Sequence, residues 1–104
     1  AHVAYIPNQK VVGISKIARL VDIFSKRLQT QEILTMQIAS TINDVLKPKG
    51  VAVFIDSKHQ CMTTRGIHKT SATTTTMTML GEFKLNPIFE DRFLNMIKIN
   101  TQEC

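Results

Sequence analysis

The run Val51-Ala52-Val53-Phe54-Ile55-Asp56 constrains this chain more than any other stretch. It follows Lys47-Pro48-Lys49-Gly50, a strong helix stop, and its β-branched and aromatic residues suit a pleated strand. The strand is expected to run from Val51 to about Thr63. The threonine run Thr73–Thr76 marks a partner strand, expected over Ser71–Phe83, since Thr is β-branched and favours a pleated surface. Side chains alternate faces along a strand. His59 and Cys61 therefore share the parity of Val51, Val53 and Ile55, and one face passes from aliphatic side chains to an imidazole and a thiol.

The rest of the chain supplies helices to cover such strands. His2-Val3-Ala4-Tyr5-Ile6 alternates weakly and stops at Pro7-Asn8, a short strand and a turn. The sequence opens directly on this strand, so a hairpin partner upstream is expected. Gly13-Ile14-Ser15 opens a helix, with Ser15 as the expected N-cap. Ile14, Ile17, Ala18, Val21, Phe24 and Leu28 form its apolar stripe, with Lys16, Arg19, Lys26 and Arg27 off it. A second helix begins at Thr30 and carries Leu34, Ile38, Ile42, Val45 and Leu46. A last helix starts at Asn86-Pro87, where Pro suits the first helical position, and its apolar side holds Ile88, Phe89, Phe93, Leu94 and Ile97. The order is strand, helix, helix, strand, strand, helix. With one further strand in front it becomes ββααββ, an α+β fold: an antiparallel sheet with a helix pair on one face, plus a C-terminal helix. Residues 1–99 are expected to form one domain, and 100–104 a flexible tail.

Composition sets the limits. A chain of 104 residues with 43% hydrophobic and 20% charged residues is an ordinary small folded domain. Six aromatic residues and no Trp leave the core to Ile, Leu, Val, Met and Ala. So small a domain buries only about two-thirds of its unfolded surface, which favours self-association. The net charge of +5 suits an anionic partner. The basic residues are dispersed, with little aromatic interleaving, so no nucleic acid is expected. Cys61 and Cys104 do not make a disulfide framework. No segment nears the roughly 20 apolar residues of a membrane span, and no signal-peptide pattern is present; a cytoplasmic protein is expected.

Four groups of residues bear chemistry. His59 with Cys61 suits a metal or acid–base work, but a zinc site wants three protein ligands and water, or four; a buried thiol beside a strand-end His is the plainer alternative. Ser15, Lys16 and Arg19 at a helix start suit an anion, and equally an ordinary solvated basic face. Glu32, with Gln31, lies in a helix first turn, where acid is favourable anyway; a carboxylate there can also accept both N–H donors of a guanine edge. Arg65, before Gly66, suits a phosphate clamp or a surface turn.

These groups fall within a pattern of ordered motifs: Ala4-Tyr5-Ile6-Pro7, Gly13-Ile14-Ser15-Lys16-Ile17-Ala18-Arg19, Arg27-Leu28-Gln29-Thr30-Gln31-Glu32, Gly50-Val51-Ala52-Val53, His59-Gln60-Cys61-Met62, Arg65-Gly66-Ile67 and Thr70–Thr76. Together they resemble the GTP cyclohydrolase I family from about Ala1 to Lys98. The resemblance implies a zinc-dependent hydrolase that opens the GTP ring at C8 and rearranges it to 7,8-dihydroneopterin triphosphate plus formate, the first step of pterin and folate biosynthesis. It implies Cys61 as a zinc ligand, His59 as the proton-transfer group beside the metal, and Ser15 as a further catalytic residue. Ser15, Lys16, Arg19 and Arg65 would lie around the triphosphate and ribose. Gln31 and Glu32 would read guanine, Glu32 as the anchor. The implied fold is the tunnelling ββααββ unit, assembled into pentamers and decamers with sites between subunits.

The resemblance also places the other zinc ligands in a Cys-Glu-His-His motif upstream of Ala1, so this chain by itself is expected to be inactive. The alternative is a non-catalytic GTP-binding or assembly module of the same fold.

Overall fold

The computed structural model describes residues 1–27, 29–61 and 70–102, and the side chains of 1–27, 29–57 and 74–98. The elements are β1 (His2–Ile6), α1 (Ile14–Ser25), α2 (Gln31–Leu46), β2 (Gly50–Cys61), β3 (Thr70–Gly81), α3 (Glu82–Leu85) and α4 (Pro87–Gln102). They make a three-stranded antiparallel sheet in the order β1-β2-β3. This is the α+β class expected, with α1 and α2 on one face.

Register explains the layering. β1 pairs with the first part of β2, from Ile6↔Gly50 to His2↔Phe54. β2 and β3 pair without interruption from Gly50↔Gly81 to Cys61↔Thr70. Odd positions of β2 therefore share one face. Val51, Val53 and Ile55 are buried there against Ile38, Ala39, Ile42 and Leu46 of α2, with Leu20, Val21 and Phe24 of α1 packed alongside. Even positions face the other way, where Ala52 is buried with Phe83 of α3 and Phe93 and Ile97 of α4. The apolar run of β2 is continuous because both faces of that strand are covered. β1 is short, so from Ile55 onward β2 has a strand partner on one side only among the described residues. The hairpin runs on past the helix layer, and the molecule is 57 Å long.

Several boundaries differ from the sequence reading, each for a local reason. Gly13, not Ser15, is the N-cap of α1: its backbone is extended (φ −68°, ψ 149°), and it makes no side-chain cap bond. Its carbonyl already accepts from the Lys16 and Ile17 amides. Ser15 thus sits inside the first turn, where its hydroxyl cannot cap. β3 stops at Gly81, whose φ of +64° turns the chain out of the sheet, and Phe83 belongs to α3. Ile14 is 87% exposed, and Val45 and Ile88 are exposed too, so the buried stripes are narrower than periodicity suggested. The start of α2 matches its expectation: Thr30 is the N-cap, and its hydroxyl accepts from the Ile33 amide at 3.3 Å.

Candidate functional site

α2 runs antiparallel to β2, which it joins through a tight left-handed turn at Lys47 (φ 47°). Its first turn therefore lies over the far part of the sheet, at Ile55 and Ser57. Gln31 makes the junction. Its Nε2 donates to the carbonyl of Ile55 at 3.0 Å, the carbonyl of Thr74 at 3.0 Å and the hydroxyl of Thr76 at 3.3 Å. The Ser57 hydroxyl donates to its Oε1. One turn on, the hydroxyl of Thr35 donates to the main-chain carbonyl of Gln31 at 2.7 Å. It also lies 2.6 Å from the Thr76 hydroxyl.

Glu32 is exposed beside this junction, and its carboxylate has no hydrogen-bond or ion-pair partner among the described residues. It lines an open recess of about 320 Å³ with Thr35 and Met36 of α2 and Thr75, Thr76 and Met77 of β3. A carboxylate in a helix first turn is favoured by the helix dipole. With free oxygens over a recess it is poised to accept N–H donors.

Positions 59 and 61 lie on the same hairpin, two and four residues beyond Ser57. The unbroken register gives them the parity of Val51, Val53 and Ile55. At roughly 3.3 Å per residue, Cys61 stands about 13 Å along the strand from Ser57. Their side chains, and all of Arg65, lie outside the described residues. No group of three His, Cys, Asp or Glu residues comes together among the described residues. Zinc needs three protein ligands, so those residues do not make a zinc site by themselves.

Ser15, Lys16 and Arg19 are elsewhere. All three are exposed. Lys16 borders an apolar recess with Val12, Ile17, Thr41 and Val45, at the far end of α2. Glu32 and Val45 are separated by 13 residues of helix, or about 20 Å at 1.5 Å per residue. The structure thus brings Gln31 and Glu32 to the hairpin that carries residues 59 and 61. It holds Ser15, Lys16 and Arg19 away from them within one chain.

Of the polar supports of Gln31, Thr74 and Thr76 fall in the threonine run read as a strand, while Thr35 and Ser57 were not singled out in the sequence. Two signals could have found them. Thr35 is a polar residue four positions from Gln31, and Ser57 continues the parity of Val53 and Ile55.

Against known proteins, the family model for GTP cyclohydrolase I matches residues 1–98. The chain belongs to the GTP cyclohydrolase I family. Relatives named GTP cyclohydrolase 1 include those of Maricaulis maris, 55% identical over 98 residues, and Pelagibacter ubique, 61% identical over 97. The Brucella anthropi protein of the same name is 55% identical over 98 residues. These matches take in 93–94% of this chain and 46–48% of each relative. The chain thus spans about half the length of the family members it matches. Among the described residues, no helix is long and apolar enough to cross a membrane.

Proposed function

We propose that this chain is the guanine-binding part of a cytoplasmic GTP cyclohydrolase I. The whole enzyme would hydrolyse GTP at C8 and rearrange it to 7,8-dihydroneopterin triphosphate and formate. The observation that carries the reading is the free Glu32 carboxylate over its recess, beside the hairpin of residues 59 and 61, in a chain of this family. Glu32 accepts the N1–H and the 2-amino hydrogens of guanine, with Gln31 beside it. His59 moves protons at the reacting carbon. Ser15, Lys16, Arg19 and Arg65 hold triphosphate and ribose.

In this reading the site lies between copies. Lys16 borders α2 at Thr41 and Val45, about 14–20 Å of helix from Glu32, and so lies away from the Glu32 recess within one chain. A second copy therefore brings its α1 start to the Glu32 recess, which agrees with assembly into pentamers and decamers. Cys61 supplies one zinc ligand, and the others come from outside this chain. Bound zinc would supply a water-derived nucleophile near neutral pH.

The reading is tested by Glu32→Ala in the full-length protein. GTP affinity is expected to fall by about tenfold or more, as for loss of a charged hydrogen-bonding partner, with selectivity over ATP reduced and assembly intact by light scattering. Undiminished discrimination against ATP would overturn it. Retained GTP binding and assembly in a full-length protein that binds no zinc would favour the non-catalytic module instead.

A further inference from the structure

We infer that Gln31 is the positioning residue for the Glu32 carboxylate, acting through the β2–β3 hairpin and not by touching substrate. The inference rests on the reading of Glu32 as the guanine anchor.

Hydrogen accounting is the first support. A glutamine amide has two hydrogens to give. The Nε2 of Gln31 already faces three acceptors of the chain itself, the carbonyls of Ile55 and Thr74 and the hydroxyl of Thr76. Its Oε1 accepts from Ser57. No amide hydrogen is left for a base edge.

The second support is a closed circuit. Thr35 spends its single hydroxyl proton on the carbonyl of Gln31, so it accepts from Thr76. Thr76 in turn accepts from the Gln31 amide. The chain of bonds leaves the side chain of Gln31, passes through Thr76 and Thr35, and returns to its main chain. Linked hydrogen bonds of this kind reinforce one another where water is scarce, and Thr35 is only 1% exposed.

The third support is what the circuit holds. The first turn of a helix lacks half of its backbone bonds and frays unless tied down. Glu32 has no side-chain partner among the described residues. The backbone of that first turn therefore sets where its carboxylate points. Gln31 ties the turn to both strands, to Ile55 and Ser57 on β2 and to Thr74 and Thr76 on β3, just before residues 59 and 61. A carboxylate that must accept two donors at once gains from such fixing.

The test is a double-mutant cycle in the assembled full-length protein, with dissociation constants for GTP and inosine triphosphate measured by titration calorimetry. Inosine triphosphate lacks the 2-amino donor. Gln31→Leu is expected to weaken GTP binding about tenfold and to shrink the preference for GTP over inosine triphosphate. In a Glu32→Ala background the same change should add nothing. Ser57→Ala, a milder change that serves if Gln31→Leu fails to fold, should give a smaller loss of the same kind, likewise absent with Glu32→Ala. Additive losses would show direct contact by Gln31 and overturn the proposal. So would equal losses for the two nucleotides, which mark a general structural role. An unchanged preference in Glu32→Ala alone would remove the guanine anchor, and this proposal with it.

Discussion

Thr35 on α2 and Thr76 on β3 place their hydroxyl oxygens 2.6 Å apart, with Thr35 buried to 1% exposure. Among the described residues Thr35 is the one polar side chain in an otherwise apolar buried set. Thr35→Val keeps the shape of the side chain but removes the acceptor of Thr76 and the donor to Gln31. It should destabilise the protein by about 1–3 kcal/mol, read as a lower denaturant midpoint with an unchanged slope. Thr35→Ser keeps the hydroxyl and loses only a methyl group, so its cost should be smaller. A neutral Thr35→Val would mean that the hydroxyl pair contributes no net stability.

Gly81 should be the least replaceable glycine among the described residues. Its φ of +64° is disfavoured for other residues, and a Cβ there would stand 2.4 Å from the Lys49 carbonyl oxygen. That oxygen is also the acceptor of the Glu82 amide at 2.9 Å, so it cannot move aside without opening the β3–α3 corner. Gly81→Ala should cost about 3 kcal/mol or more, combining backbone strain with overpacking. Gly13→Ser should act in the opposite direction. An added Cβ there meets nothing nearer than 3.9 Å, and the N-cap has no side-chain bond to lose. A gain of about a few tenths of a kcal/mol is expected. Thermal unfolding of the two variants side by side checks both signs.

These positions show what could be read in advance. The helix pair, the two long strands and the Pro87 start were legible because period 3.6, period 2 and the Pro/Gly stops are local signals. The start of α2 was legible for the same reason, since Thr30, Gln31 and Glu32 act within one turn. Ser15 is not the cap because the helix start is set by the extended backbone of Gly13, two residues earlier, which makes no side-chain cap bond. Ile14, Val45 and Ile88 obey the helical period and are exposed nevertheless; periodicity gives the direction of a face, while its width depends on how far the neighbouring element reaches. At the candidate site, Gln31 and Glu32 could be named from the family pattern. The bonds that Ser57 and Thr76 make to Gln31 could not, because they join residues 26 and 45 positions apart in sequence. The separation of Lys16 from Glu32 is likewise a property of helix direction, invisible until α2 is seen antiparallel to β2.

The second layer rests on Phe93. Its ring meets Phe83 edge-on at 5.9 Å between centroids and is 4% exposed. Phe93→Ala should destabilise by about 3–5 kcal/mol, through lost burial and the cavity left behind. Ile88→Ala on the same helix should stay within about 0.5 kcal/mol, because Ile88 is 62% exposed and its removal opens no cavity. If the Ile88 variant proved as costly as the Phe93 one because an assembly buries Ile88, its cost should vanish with oligomer dissociation, which a concentration series of unfolding curves would reveal.

The distance between Lys16 and Glu32 makes the proposed division of the site testable without a structure of the assembly. Lys16 borders the far part of α2, at Thr41 and Val45, about 14–20 Å of helix from Glu32. Lys16→Ala and Glu32→Ala should each impair GTP binding in the full-length protein. If a site takes Lys16 from one copy and Glu32 from another, a mixed assembly contains sites that received both intact residues. Random mixing of equal amounts of the two variants leaves about one site in four with neither substitution, because each residue is independently intact in half of the copies. Co-refolded mixtures should therefore recover about a quarter of the wild-type high-affinity binding stoichiometry, while separately refolded variants combined afterwards recover none until subunits exchange. Recovery no greater than the average of the two separate variants would place both residues in a single-copy site, or Lys16 outside the site altogether.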